Sequence, residues 1–441
     1  MSGRQAHLVG VAGVGMNPLA QALLAAGWHV TGSDRYLDTG HELAVVPKLR
    51  RAGVRLCPQD GSGIGPDTDT VVVSSAIEAD NPDLAAARRH GVQVLHRAKM
   101  LARLLEGKQC VAVTGTSGKT TVTGLVGFLL EQLGEDPTVV NGGVVVNWES
   151  GEAVGNFRAG RSGRWVIEAD ESDRSLLSFE PEWAIITNIS ADHFALADTE
   201  ALFAAFAERV RRGVVGPPDD SSPWRGFRPE LSAGGSRFRY RGQRFRVPLL
   251  GRHNAENALH AVRLCERLGH PLERVAAALE GFRGIRRRLD VAGSAGGVTV
   301  VDDYAHNPAK IEAAWQAVAP FHQRVHAAWR PHGFGPLAKM LEALKALFRR
   351  MGEQCAGLYV LPVYYAGGTA DASVTSEMLV RDLAGEGVPI ELAADYGALV
   401  RRIAARARPG DVVLCMGARD PDLPALARQI VDAVQRRRAD G

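Results

Sequence analysis

Cysteine, lysine, long apolar runs and excess charge are all scarce in this 441-residue sequence, and each scarcity removes a class of protein. The five cysteines, Cys57, Cys110, Cys265, Cys355 and Cys415, form no C-x-x-C pair, so neither a zinc site nor a disulfide framework is supported, and a reducing cytoplasm is the expected compartment. No stretch reaches the roughly 18 apolar residues of a membrane helix. The apolar segment from His7 to Val30 carries glycines, Asn17 and Gln21 and lacks a preceding basic run, which argues for a strand, a turn and a helix rather than a signal peptide. Lys plus Arg is 52 against Asp plus Glu 49, a net charge of +3, so nothing marks a binder of nucleic acid or of an acidic membrane surface. Lysine occurs only at Lys48, Lys99, Lys108, Lys119, Lys310, Lys339 and Lys345; every other cationic residue is arginine. Internal repeats and low-complexity tracts are absent as well.

What is present is an ordinary globular balance, 46% hydrophobic and 23% charged. At roughly 100–200 residues per domain the length fits two to four domains, with three in the middle. Strand and helix signals alternate from the start: strands at His7 to Val11, Trp28 to Gly32 and Val71 to Ser75, helices at Met16 to Ala26 and Asn81 to His90. A second such unit opens at Cys110, with a strand to Thr114, a turn from Gly115 to Thr121, a helix from Val122 to Leu133, and buried strands at Trp165 to Glu168 and Trp183 to Asn188. The stretch from Gly213 to Gly235 reads as a loop, followed by a hairpin from Arg237 to Val247 turning at Gly242 and helices at Ala255 to Leu268 and Leu272 to Leu279. A third unit follows Arg286-Arg287-Arg288, with strands at Gly297 to Asp302, Arg324 to Trp329, Leu358 to Val363 and Asp411 to Met416, and a helix at Pro308 to Val318. This order specifies a doubly wound α/β protein.

The sharpest local signal is Thr114-Gly115-Thr116-Ser117-Gly118-Lys119-Thr120-Thr121 between strand and helix. Glycines let backbone N–H groups turn inward around phosphate, Lys119 supplies a point charge, the helix adds its dipole, and Thr120 can ligate Mg²⁺. The strict pattern has glycine at 113, where Val113 stands, so this is a variant P-loop. Glu168-Ala169-Asp170-Glu171-Ser172-Asp173 puts four acids in six residues at a strand's carboxyl end, where they repel unless cations sit near; beside a P-loop, a metal site is favoured over a solvated loop. Asp192-His193 could add a ligand, although a structural histidine is the commoner case. Gly10-Val11-Ala12-Gly13-Val14-Gly15, with Asp34 about 20 residues on, approaches a dinucleotide fingerprint but lacks its last glycine, leaving a nucleotide diphosphate site and a plain tight turn on even terms. Gly251 to Asn257 and Asp302 to Pro308 are dense polar clusters that read either as functional loops or as helix caps through Asn254 or Asn307.

Taken in order, Gly13-Val14-Gly15-Met16, Ser74-Ser75-Ala76-Ile77 with Asp80-Asn81-Pro82, the Thr114 to Thr121 loop, Glu168 to Asp173, Thr187-Asn188-Ile189 with Asp192-His193, Gly251 to Asn257 and Asp302 to Pro308 resemble the motif series of the Mur ligases, ATP-dependent enzymes that form amide bonds in peptidoglycan synthesis. The resemblance spans almost the whole chain. It implies three domains: a Rossmann-like one for a UDP-sugar (1–107), a central P-loop one for ATP (108–286), and a C-terminal Rossmann-like one for the incoming amino acid (287–441). It implies that Lys119 holds the β- and γ-phosphates, that the loop from Gly115, Thr116, Ser117 and Gly118 to Thr121 cradles them, and that His253, Asn254 and Asn257 line the ATP site. Thr120 and Glu168 would ligate one Mg²⁺ and His193 a second, while Asp303 and His306 would act at the junction with the third domain. Gly13, Gly15, Asp34, Ser74, Ser75, Arg288 and His332 would meet the substrates. Some family members support the second metal with a carbamoylated lysine; with no lysine between Lys119 and Lys310, that device is excluded here.

Within the family the motifs are most similar to the branch that joins UDP-N-acetylmuramate to L-alanine. Three features depart from it: Gly333, Gly335, Pro336 and Leu337 stand where that branch has arginines, Asn307 stands in place of a second histidine, and the Gly213 to Val247 region is short. Arg286 to Leu289 and Asp198 to Phe206 are also similar to the branch that recycles a murein tripeptide. Acceptors implied are therefore L-alanine, another amino acid or a short peptide; a non-catalytic nucleotide-binding regulator is the other class, against which intact Lys119, Thr120, Glu168 and His193 weigh.

Overall fold

The computed structural model describes residues 4–40, 43–190, 195–217, 224–365 and 373–439. They fall into two compact units: Met1–Arg228 with Phe238–Val247 and Asn254–Ile285, and Pro229–Arg237 with Pro248–His253 and Arg286–Gly441.

The first unit holds two sheets. One is wholly parallel, from β1 (Gln5–Val9), β2 (His29–Ser33), β3 (Arg55–Cys57), β4 (Thr70–Val73) and β5 (Gln93–His96) in the order β3-β2-β1-β4-β5, with helices α1 (Asn17–Ala25), α2 (Arg35–Asp38), α3 (Val45–Ala52), α4 (Pro82–His90) and α5 (Arg97–Leu104) in its connections and after β5. The other comprises β6 (Gln109–Thr114), β7 (Thr138–Val140), β8 (Phe157–Arg158), β9 (Arg164–Glu168), β10 (Trp183–Ile186) and β11 (Gly213–Val215) in the order β11-β10-β6-β9-β7-β8, with only β8 antiparallel. Helices α6 (Lys119–Gln132) and α7 (Leu196–Ala207) belong to it. Strands buried on both faces need apolar residues throughout, and Val111, Ala112 and Val113 of β6 are all within 1% of complete burial. One apolar cluster runs from Leu8 and Leu23 through Met100 and Leu101 to Leu176 and Phe203, so both sheets share a core.

The chain then forms β12 (Glu230–Ser232), β13 (Gly235–Tyr240) and β14 (Gln243–Val247), the last two flanking a turn at Arg241-Gly242, and helices α8 (Arg252–Arg267) and α9 (Leu272–Leu279). The second unit is built on β15 (Asp290–Ala295), β16 (Val298–Asp303), β17 (Val325–Arg330), β18 (Cys355–Val360), β19 (Ile390–Leu392) and β20 (Val412–Gly417), ordered β15-β16-β20-β17-β18-β19 with only β15 antiparallel. Helices α10 (Pro308–Val318), α11 (Phe334–Gly352), α12 (Ser376–Gly385), α13 (Tyr396–Arg406) and α14 (Leu423–Ala439) accompany it, with separate apolar clusters around Trp315, Trp329 and Phe348 and around Leu399, Ile403 and Ile430.

Three expectations are corrected. The Gly213 to Gly235 stretch is not all loop: it contains β11 and β12, and Gly213 fits because a Cβ there would press on the Trp183 ring of the neighbouring strand. Helix α6 starts at Lys119, three residues early, because the loop ends at Gly118 with φ +83°. Helix α8 starts at Arg252, so Asn254 lies inside it and is no cap, whereas Asn307 does cap α10, its Oδ1 accepting from the Lys310 N–H at 2.9 Å.

Candidate active site

The phosphate loop joins β6 to α6 and is stitched to the chain that follows β10. Thr187 Oγ1 donates to the carbonyls of Thr114 and Ser117 at 3.2 and 2.5 Å; Asn188 Oδ1 accepts from the Ser117 N–H at 3.0 Å, and its Nδ2 donates to the Ser117 carbonyl at 2.9 Å. Thr116 N–H donates to the Asn188 carbonyl at 3.1 Å, and Thr116 Oγ1 accepts from Ser190 N–H at 2.9 Å. Gly115 and Gly118 have φ of +131° and +83°, and a Cβ on either would overlap Thr187 Oγ1 or Asn257 Oδ1. Glycine is thus required twice, for conformation and for space. The loop closes on α8, where Asn257 Nδ2 donates to Asn254 Oδ1 at 3.2 Å, one turn back.

The acid run after β9 faces cations, as its charge demands. Lys119 Nζ donates to the Gly115 carbonyl at 2.9 Å and pairs with Glu171 Oε2 at 2.6 Å. Glu171 is 2% exposed, and burial pushes its carboxyl up against the pull of Lys119. Burial also pushes on Asp170, yet Lys119, the Ser172 N–H and Arg97 together hold it below its ordinary value. Glu168 accepts from the Thr120 hydroxyl at 3.0 Å and from the Gly142 N–H at 2.8 Å. Among the described residues no group of three or more His, Cys, Asp or Glu gathers to hold a metal. Two hard oxygens, Glu168 and Thr120, still suit Mg²⁺, which commonly takes one or two protein oxygens and completes its shell with phosphate and water. Asp192 and His193 lie outside the described residues.

At the carboxyl edge of the first sheet, the Gly10 to Gly15 turn follows β1. Asp34 holds this turn in place, accepting from the Ala12 N–H at 3.1 Å and the Tyr36 N–H at 3.2 Å. Ser74 and Ser75 follow β4 on the same edge, and Gly15 lies against Arg97.

In the second unit, Arg287 pairs with Asp302 at 3.4 Å, and Asp303 accepts from the Leu289 and Ala305 N–H groups, both at 2.8 Å. Burial pushes the Asp302 carboxyl up to about 7 against Arg287, and raises Asp303 against Arg288. Arg288 lies over the Tyr304 ring, and the His306 and His332 rings meet edge to face at 5.1 Å. Burial and the charge of Arg288 depress His253 to about 4; burial and His306 do the same to His332. Here Asp303, His306, Arg288, His332 and His253 belong to one unit, while the loop, Glu168, Asn254, Asn257, Gly13, Gly15, Asp34, Ser74 and Ser75 belong to the other. Sequence reasoning gave no role to Glu171, Thr187, Asn188 or Arg97. Nothing along the chain marked the last, because β5, which ends at His96 just before it, is too short to be read from the sequence.

Three family descriptions match this chain: "Mur ligase family, catalytic domain" over residues 5–109, "Mur ligase middle domain" over 113–212 and "Mur ligase, glutamate ligase domain" over 287–419. A UDP-N-acetylmuramate–L-alanine ligase of Gloeobacter violaceus is 36% identical across 95% of this chain and 94% of that protein. The crystal structure of UDP-N-acetylmuramate-alanine ligase from Thermotoga maritima superposes with a TM-score of 0.79 at 26% identity, covering 99% of this chain and 100% of that one. A murein peptide ligase from Psychrobacter arcticus shares the fold, with a TM-score of 0.65 at 22% identity over 98% and 99% of the two chains.

Proposed function

This chain belongs to the Mur ligase family, and from that premise we propose that it joins the carboxylate of UDP-N-acetylmuramate to L-alanine, converting ATP to ADP and phosphate, in peptidoglycan precursor synthesis. The observation that carries the reading is the loop from Gly115 to Thr121 with Lys119 at its mouth and Glu168 on the Thr120 hydroxyl. We assign residues 1–107 to the sugar nucleotide, 108–286 to ATP and 287–441 to the amino acid, an assignment supported by the order of the three family matches.

The chemistry follows from the residues present. A carboxylate oxygen of the donor attacks the γ-phosphorus, the bond to the β,γ-bridging oxygen breaks to release ADP, and an acyl phosphate forms. The amine of L-alanine then attacks that carbonyl carbon, phosphate departs, and the amine loses a proton as the amide is completed. Lys119 neutralises charge on the transferring phosphoryl oxygens, and the loop N–H groups with the α6 N-terminus hold the other phosphate oxygens. Thr120 and Glu168 would hold Mg²⁺, which supplies further charge neutralisation and fixes the phosphates, and His193 is proposed for a second ion. His253, Asn254 and Asn257 are proposed for the nucleotide, and Asp303, His306, Arg288 and His332 for the acceptor side. Among the described residues no helix is long and apolar enough to cross a membrane, which is compatible with work in the cytoplasm.

The test offers the purified protein UDP-N-acetylmuramate, ATP and Mg²⁺ with L-alanine, glycine, L-serine or the murein tripeptide, and measures phosphate release. Release with L-alanine is expected; release with the tripeptide alone would move the reading to peptide recycling, and no release with any acceptor would sink both. Lys119→Ala should abolish turnover, and retained activity would refute its phosphate role.

A further inference from the structure

We infer that Arg97 grips the diphosphate of the donor nucleotide, from a seat that the acid loop facing Lys119 holds in place; this rests on the donor reading above. Arg97 opens α5 directly after β5, on the sheet edge where β1 hands over to the Gly10 to Gly15 turn. Its guanidinium lies against that turn: Nη1, Cζ and Nε stand 3.5, 3.6 and 3.6 Å from the position of a Cβ on Gly15. The remaining nitrogen, Nη2, donates to Asp170 Oδ2 at 3.0 Å and lies 3.8 Å from Asp173 Oδ2. Asp170 is itself fixed through Oδ1, which accepts from the Ser172 N–H at 3.2 Å and hydroxyl at 3.0 Å. Asp173 accepts from the Ser175 N–H at 2.9 Å and has His96 Nε2 at 3.3 Å. One nitrogen of the guanidinium is therefore anchored. The other two, Nε and Nη1, have no acceptor among the described residues and lie against the glycine turn.

Because Cδ lies between them, the N–H groups of Nε and Nη1 offer separate charge-assisted donors to phosphate oxygens rather than one fork, and the side chain keeps 20% of its surface open. A plain arginine–carboxylate pair such as Arg349–Glu386 engages Nε and Nη2 together, whereas Arg97 gives Asp170 only Nη2. The anchor also joins two substrate sites through one loop: Asp170 and Asp173 hold Arg97, while the intervening Glu171 holds Lys119. Arg97 is thus a donor-binding residue positioned by the segment that faces the phosphate loop.

The test uses the full chain with Arg97→Lys, which keeps the charge but replaces three spread donor nitrogens by one, and Arg97→Gln, which removes the charge as well. Arg97→Lys is expected to raise the KM for UDP-N-acetylmuramate roughly 10–100-fold, the loss of one or two charge-assisted hydrogen bonds, with kcat at saturating donor and the KM for L-alanine held within about twofold. Arg97→Gln should weaken calorimetric binding of UDP-N-acetylmuramate, measured without ATP, by at least as much. An unchanged donor KM in Arg97→Lys overturns the inference, as does a fall in kcat and Tm with a rise in every KM, the signature of structural glue. If the wild-type protein neither binds UDP-N-acetylmuramate nor turns over with it, the donor reading itself has failed, which is a different result from an active wild type indifferent to Arg97.

Discussion

Asp302 shows how much one buried group can do. With its carboxyl pushed up to about 7 by burial, folded Asp302 keeps its proton in a window where an unfolded aspartate, near about 4, has lost it. The native state then binds more protons than the unfolded one, so its contribution makes stability fall as pH rises from about 4 to about 7. Asp302→Asn should flatten that fall, read as urea midpoints at pH 4.5 and 7; parallel slopes in both proteins would contradict it. The charge logic around Asp302 was not legible in the sequence, which offered Asp302-Asp303 only as part of a polar cluster. The pairing of Arg287 with one acid and the capture of the other by backbone N–H groups depend on β15 lying beside β16. The turn that carries Gly118 and Lys119 between β6 and α6 was legible because it is local, set by spacing within a few residues. Glu171 was visible as a charge, but its pairing with Lys119 requires β9 to sit next to β6, which spacing along the chain does not encode.

At the scale of elements, helix ends decide what the sequence reveals. Helix α10 announces itself through Asn307 at its cap and Pro308 at its first turn, and both serve as read. Replacing Asn307 with alanine should cost about 1 kcal/mol, seen as a lower urea midpoint with unchanged m-value; no change would mean that Pro308 alone sets the start. Helix α11 hides instead, because Gly333, Gly335 and Pro336 look like breakers and were read as departures from substrate-placing arginines. Gly333 is the cap, with φ +78°, and Gly335 and Pro336 occupy the first turn, where a missing N–H is tolerated. Strands β3, β5 and β19, three or four residues each, carry too little periodicity to be seen without their neighbours.

At the scale of the whole molecule, the unit boundaries do not follow the order of the chain. A cut at 286 looks natural in the sequence, yet Pro248–His253 belongs with the C-terminal unit, where Leu250 is 6% exposed in the cluster around Ala317 and Val318. Leu250→Ala should therefore destabilise by roughly 2–4 kcal/mol the unit built on β16 and α10, lowering hydrogen-exchange protection there while β6 and α6 keep theirs. Lost protection in β6 and α6 instead would contradict the assignment. The bonds that tie the phosphate loop to Thr187 and Asn188 carry a consequence of another kind. They shape the loop as the chain folds, so binding a nucleotide demands little further ordering. Thr187→Val, which removes two of them, should lower Tm and weaken ATP binding together, and a change in one without the other would separate the two. The same hydroxyl thus serves two ends, holding β10 to the loop in the folded chain and keeping the loop in the shape a phosphate needs.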